Sequence, residues 1–252
     1  DVGRIVGNTG LAAISNASMA GFIINSVCIG LTMGGTVAAA QYKGAGDEKG
    51  QRETVGTLFS IAFLAAILVT AIGLSAYKPL FRMLNVPPEA MGDTCAYMKI
   101  ICCGTVFVFG YNAVCSILKG LGDSKSPLAF VAIAAAVNIV LDIILVGPFA
   151  MGTEGAAYAT IASQGISFMI SVIHLKRRNS VFDFKFRHFA VKPDKMAAIL
   201  KVGLPAAAQM AVVNISYLLI TGMLNRFGVP VAAASGVGLK INTFAGMPCW
   251  AI

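Results

Sequence analysis

The sequence predicts an all-α fold, a polytopic bundle of membrane-spanning helices, on three observations. Hydrophobic residues make up 57% of the 252 positions and charged residues 12%, with a mean hydropathy of +0.80. Soluble domains carry roughly twice that charged fraction. The apolar residues come in long runs, each near the ~20 residues a helix needs to cross the hydrocarbon core. No run alternates apolar and polar positions as the ~10-residue strands of a membrane barrel would.

Taken in order, the expected spans are Ala17–Tyr42, Thr54–Tyr77, Ala96–Leu118, Pro127–Gly147, Gly155–Leu175, Val202–Phe227 and Val231–Ile252. The first follows a glycine turn at Asn8-Thr9-Gly10 and a small-residue entry, Leu11-Ala12-Ala13-Ile14-Ser15. A similar entry, Arg226-Phe227-Gly228 and then Val231-Ala232-Ala233-Ala234-Ser235, precedes the seventh. This faint parallel repeat is of a kind found in transporters. The sixth span opens on Gly203-Leu204-Pro205. Asp1-Val2-Gly3-Arg4 is neither a signal peptide nor a start methionine, and GMPCWAI stops inside an apolar run. The sequence therefore reads as a fragment of a longer chain.

Lysine and arginine set the orientation. The stretches 43–53, 119–126 and 176–201 share one side and carry 13 of them, against 4 in the opposite loops. That excess marks the first set as cytoplasmic. It also explains the net charge of +8 without nucleic acid, because the basic residues lie between apolar runs and form no free-standing patch. In VFDFKFRHF, Phe182, Phe184 and Phe186 alternate with Asp183, Lys185 and Arg187, the pattern of a segment lying in the headgroup interface. His174 and His188 fall in or beside this connector, where solvated histidines need no catalytic explanation.

Cys28, Cys95, Cys102, Cys103, Cys115 and Cys249 show no metal-ligand or disulfide spacing. They read as small packing residues, with the adjacent Cys102 and Cys103 pointing apart.

Polar residues inside the spans single out the candidate site. Asp142 is the one acid deep in a complete span, at a cost of at least ~2.5 kcal/mol on insertion scales. It should face protein or a wet cavity. Asn138, four residues earlier, shares its face. Asp142 lies roughly 7 Å below the span end at Gly147, and Thr160 lies at a similar depth on the return helix, with Gln164 on the same face. Asn138, Asp142, Thr160 and Gln164 can meet within one helical hairpin, with Asn112 joining from the preceding helix. For Asn112 and Gln164 a plain helix-to-helix hydrogen bond fits as well. Gln209 and Asn214 either line a cavity, as substrate-lumen candidates beside Gln164, or bond to neighbours. Lys99 is near enough to its span end to snorkel. Lys240 sits deeper and calls for a carboxylate partner.

An ordered set of motifs resembles the multidrug and toxic compound extrusion (MATE) family of secondary transporters. They are DVGRIVGNTGLAA at the start, Ala40-Gln-Tyr-Lys-Gly-Ala-Gly-Asp47, Lys119-Gly-Leu-Gly-Asp-Ser-Lys-Ser-Pro127, Asn138-Ile-Val-Leu-Asp142, Gly152-Thr-Glu-Gly-Ala-Ala-Tyr-Ala-Thr160 and Gly203-Leu-Pro205. The resemblance implies two six-helix bundles facing each other in a V, exchanging cations for organic solutes. Residues 1–180 would then be a nearly complete N-terminal bundle lacking most of its first helix, 181–201 a cytoplasmic connector, and 202–252 the truncated start of the second bundle. It implies an acid at Asp1 facing a network of Asn138, Asp142 and Thr160, with Asn112 a less secure match. The seventh family helix carries Gln209 and Asn214 and no acid, which places cation coupling at Asp1 and Asp142.

The expectation is therefore a monomeric, multi-pass plasma-membrane antiporter, not an enzyme, that exports organic, often cationic, small molecules. It has no cofactor; its coupling ion is H⁺ or Na⁺, with Asp1 and Asp142 as Na⁺ ligands in the second case. A flippase for lipid-linked sugars or polysaccharides has the same hydropathy, although such proteins tend to a basic lumen and only Lys99 and Lys240 lie in spans here. An intramembrane enzyme, such as an aspartyl or metal-dependent protease, is a less favoured reading: two acids could form a dyad, but no histidine for metal and no Ser-Lys pair is evident in the spans. A non-transporting membrane scaffold is the remaining alternative.

Overall fold

A computed structural model of the protein describes residues 2–83, 86, 88–178 and 191–225. The described residues form six helices and no strand: α1 (Val2–Gly44), α2 (Glu48–Met83), α3 (Pro88–Gly120), α4 (Lys125–Val146), α5 (Gly152–Arg178) and α6 (Pro193–Asn225). All six contain stretches long and apolar enough to cross a membrane. Asp1, the aromatic connector with His188, and the seventh expected span with Lys240 and Cys249 lie outside the described residues.

Local chemistry explains the ends. Gly46 turns the chain with φ +68°, and Asp47 caps α2 by accepting the Gly50 N–H at 2.9 Å, which satisfies one of the orphan donors of a helix start. Pro88 opens α3 at the position where a missing N–H costs nothing. Gly122, at φ +77°, reverses the chain after α3. Asp123 then takes the Ser126 N–H at 3.1 Å at the start of α4.

Two boundaries differ from the sequence reading. The expected turn at Gly10 lies inside α1, which runs unbroken from Val2 to Gly44. An isolated glycine costs a helix only ~1 kcal/mol, and no proline interrupts this stretch. The sixth span starts nine residues earlier than expected, because Pro193 and Asp194 supply a helix start. Residues 193–201 are thus helix rather than connector.

The chain divides into two compact units, Asp1–Ala208 and Gln209–Ile252. Within the first, α3 is the central helix, packed against α1, α2 and α5, while α4 lies on α5. One core layer gathers Leu58, Phe109, Ile117, Leu175 and Ile199; the other gathers Phe81, Tyr97, Met98, Val146 and Ala157. Hydroxyls tie the helices together. Thr70 of α2 donates to Cys102 O at 3.0 Å, Ser167 of α5 to Phe130 O at 3.1 Å, and Thr36 and Ser116 are 2.8 Å apart. In α1, Gly30 and Gly34 form a small-xxx-small face against Gly203 and Ala207 of α6, the pattern that lets membrane helices approach closely.

The basic stretches meet at one end. Lys43 donates to Leu121 O, Lys195 lies 3.7 Å from the centre of the Tyr42 ring, and the Lys192 N–H donates to Thr57 at 3.2 Å. Cys28, Cys102 and Cys115 are buried packing residues, but Cys95 is half-buried and Cys103 exposed. Cys102 and Cys103 do point apart. His174 departs from the solvated reading. It lies inside α5, its Nε2 is 3.0 Å from Ser126 Oγ, and its ring meets Phe130 edge-on at 5.4 Å.

Candidate functional site

The site begins with the placement of α4, the least covered helix of the first unit. Ile139, Val140 and Ile143 are exposed, the arrangement expected of a lipid-facing side. Asn138 and Asp142 sit between them on the opposite face, one turn apart, and both are half-buried. Asn138 Nδ2 and Asp142 Oδ1 are shielded from solvent and have no hydrogen-bond partner among the described residues. An unsatisfied buried polar group costs ~1–3 kcal/mol, so these two atoms mark a place where the fold forgoes stability.

Asn138 opens onto a cavity of about 220 Å³ between α3, α4 and α5, whose lining includes Tyr111, Thr160, Ser163 and Gln164. The expected meeting of Asn138, Thr160 and Gln164 across the hairpin is what the structure shows. Thr160 donates to Ala156 O at 2.9 Å, which keeps its oxygen lone pairs free to accept. Ser163 donates back to Thr160 O at 2.8 Å.

Tyr97 of α3 completes the group. It is almost fully buried, and its hydroxyl lies near Thr160 and within electrostatic range of Asp142. Tyr97 is thus a common neighbour of Thr160 and Asp142. The sequence reading missed Tyr97, and the signal was thin: a tyrosine near a span end, in CAYMKII, reads as an interfacial anchor. Only the packing of α3 against α5 turns it inward.

Asn112 does not join this group. Its amide donates to Val108 O at 2.8 Å, and it lines a separate pocket of about 320 Å³ between α1 and α3, with Thr32, Thr36, Ser116 and Lys119. Its neighbour Tyr111 faces the Asn138 cavity instead, since successive helical residues point about 100° apart. Gln209 and Asn214 belong to the second unit, where Gln209 is exposed and Asn214 half-buried. Asp1 lies outside the described residues. Lys99 is exposed near its span end and borders a further pocket with Tyr77, Glu154 and Tyr158.

Chemically, Asp142, Asn138, Thr160 and Tyr97 offer one carboxylate, one amide and two hydroxyls in an apolar setting. No three His, Cys, Asp or Glu side chains gather among the described residues. One charge with neutral oxygens suits a proton or a hard monovalent cation, for which oxygen donors are the natural ligands.

The family model described as MatE matches residues 2–144. A probable multidrug resistance protein, YpnP of Bacillus subtilis (strain 168), is 31% identical over 99% of this chain and 56% of its own length. A probable multidrug resistance protein NorM of Thermotoga maritima is 29% identical over 92% of this chain and 50% of its own. An FAD transporter of Shewanella oneidensis is 24% identical over 94% and 54%. The chain thus spans about half the length of the curated relatives it matches. Its fold is that of a solved MATE transporter in the bent conformation, with a TM-score of 0.91 at 24% identity, covering 99% of this chain and 57% of that one. A MOP superfamily transporter from Pyrococcus furiosus Vc1 gives 0.90 at 24% identity, covering 98% and 55%. With six apolar helices, this fold and the matching family model, the chain belongs to the MatE family of multi-pass membrane transporters.

Proposed function

We propose that this chain forms part of a cation-coupled antiporter that exports organic, often cationic, small molecules by alternating access, and that the coupling ion, H⁺ or Na⁺, binds at Asp142. The observation that carries this is the buried, unpartnered Asp142 Oδ1, one turn from Asn138 and in electrostatic range of Tyr97. A carboxylate kept at such a cost needs a partner in at least one state of the cycle.

Asp142 carries the charge, and Asn138, Thr160 and Tyr97 supply neutral oxygens around it. A proton on Asp142 would turn an acceptor into a donor, directed at those oxygens. A sodium ion would instead draw them in as ligands. Either event shifts the preferred packing of α3, α4 and α5. An ion drives transport only through such a difference in affinity between states. Asp1, as the facing acid, would share the ion. Gln164, Gln209 and Asn214 are candidates for contact with the organic solute. In this reading the protein is a monomer in the plasma membrane, the basic end is cytoplasmic, and no cofactor takes part.

The test is export of a cationic dye by the full-length protein in liposomes, under an imposed H⁺ or Na⁺ gradient. Asp142→Asn should remove gradient-driven export while the protein remains folded. Unchanged export would remove Asp142 from the mechanism. The panel of cargoes should include flavin dinucleotide, because one relative bears that name.

A further inference from the structure

We infer that the outward groove between α2, α3 and α5 is a binding site for an anionic phospholipid, with an acyl chain in the groove and the phosphate at Arg52, Lys176 and Lys192. The groove is about 600 Å³ and almost wholly apolar, walled by Phe59 and Phe63 of α2, Val106 of α3, and Met169 and Val172 of α5. Its floor exists because position 110 is glycine. A Cβ there would come within 2.6 Å of the Phe168 ring, which fills that space instead. Phe63 and Met169 are 55% and 58% exposed, so the slot opens toward the lipid.

The end of the groove is basic. Lys176 stands one turn beyond Val172 on the same face of α5, a rise of ~6 Å. Arg52 stands two turns before Phe59 on α2, ~10 Å away on the same face. Val191 lines the groove itself, and the next residue, Lys192, is pinned to α2 by its N–H bond to Thr57. All three basic residues are exposed, while the adjacent Glu53 is half-buried. Among the described residues none of the three is paired with a carboxylate. Three elements therefore bring cations to one mouth of an apolar slot.

This arrangement matches a ligand with a long tail and a negative head. Basic pockets between membrane helices at the positively charged side hold anionic headgroups in this way. A zwitterionic lipid supplies the tail without the net charge. The pocket near the other end is lined by both Lys99 and Glu154, a cation and an anion together, and so lacks the same preference.

Native mass spectrometry of the delipidated full-length protein tests the inference, with dioleoyl-phosphatidylglycerol and dioleoyl-phosphatidylcholine titrated separately. Phosphatidylglycerol should bind about tenfold or more tightly. The triple variant R52Q/K176Q/K192Q should bring it to the phosphatidylcholine level. The remote pair K125Q/K201Q should leave the preference intact, and Met169→Trp, which fills the slot, should weaken both lipids. Equal binding of the two lipids by the unaltered protein would overturn the inference. So would an equal loss in the remote pair, or unchanged binding in Met169→Trp. All these positions are exposed, and helicity by circular dichroism should stay at the unaltered level.

Discussion

Gly34→Ala tests the α1–α6 crossing with a built-in control. A Cβ on Gly34 would stand 2.0 Å from Ile199 O and 2.9 Å from Gly203 N. Ordinary contact begins near 3.4 Å, so the helices must separate by about 1.4 Å at that point. Overpacking of this kind costs ~1–3 kcal/mol. The gain in helix propensity returns at most ~1 kcal/mol, which leaves a net loss of up to ~2 kcal/mol. At ~2–4 °C per kcal/mol for a chain of this size, the apparent unfolding midpoint should fall by several degrees. Gly21→Ala is the control, because its Cβ would meet nothing within 4 Å, and only the propensity gain applies. Thermal unfolding in one detergent, followed by circular dichroism at 222 nm, compares the two. A Gly34→Ala protein that unfolds at or above Gly21→Ala would refute the close-crossing argument.

Tyr97→Phe removes the hydroxyl near Thr160 and Asp142 and should slow gradient-driven export by about fivefold, the scale of one ~1 kcal/mol hydrogen bond, with less effect on stability than on rate. Asn138→Leu should impair export more than Asn112→Leu, since Asn112 donates to its own helix in a different pocket; dye export from liposomes distinguishes them. Asp123→Ala removes the acceptor for the Ser126 N–H and hydroxyl and the ionic neighbour of His174 at 3.8 Å. It should lower stability by ~1–2 kcal/mol, read as a lower unfolding midpoint with transport per folded protein unchanged.

How far the site could be read without coordinates varies residue by residue. Asn138 and Asp142 were legible because a four-residue spacing places two side chains on one helix face whatever surrounds the helix. Thr160 was legible because a tight hairpin makes depth a matter of counting. Asn112 was misplaced: a polar residue in a span says that it faces protein, but not which neighbour. Tyr97 was missed because its role comes from the rotation of α3 against α5. His174 looked solvated because it lies near a basic stretch. Its partners Asp123 and Ser126 arrive from the far end of α4, 48 residues away in sequence for Ser126.

The lengths of the apolar runs, the scarcity of charge and the asymmetry of lysine and arginine determined that this is a helical bundle crossing a membrane several times. They also determined which side each loop takes relative to the others. These are one-dimensional properties, set by the thickness of hydrocarbon and the cost of moving charge across it. The tertiary structure alone decided that α3 is the central helix, that Gly30 and Gly34 meet α6, and that Asp142 has Tyr97 rather than Asn112 beside it. Helix rotation and crossing depend on how side chains from distant segments interlock, and neighbours along the chain carry no information about that.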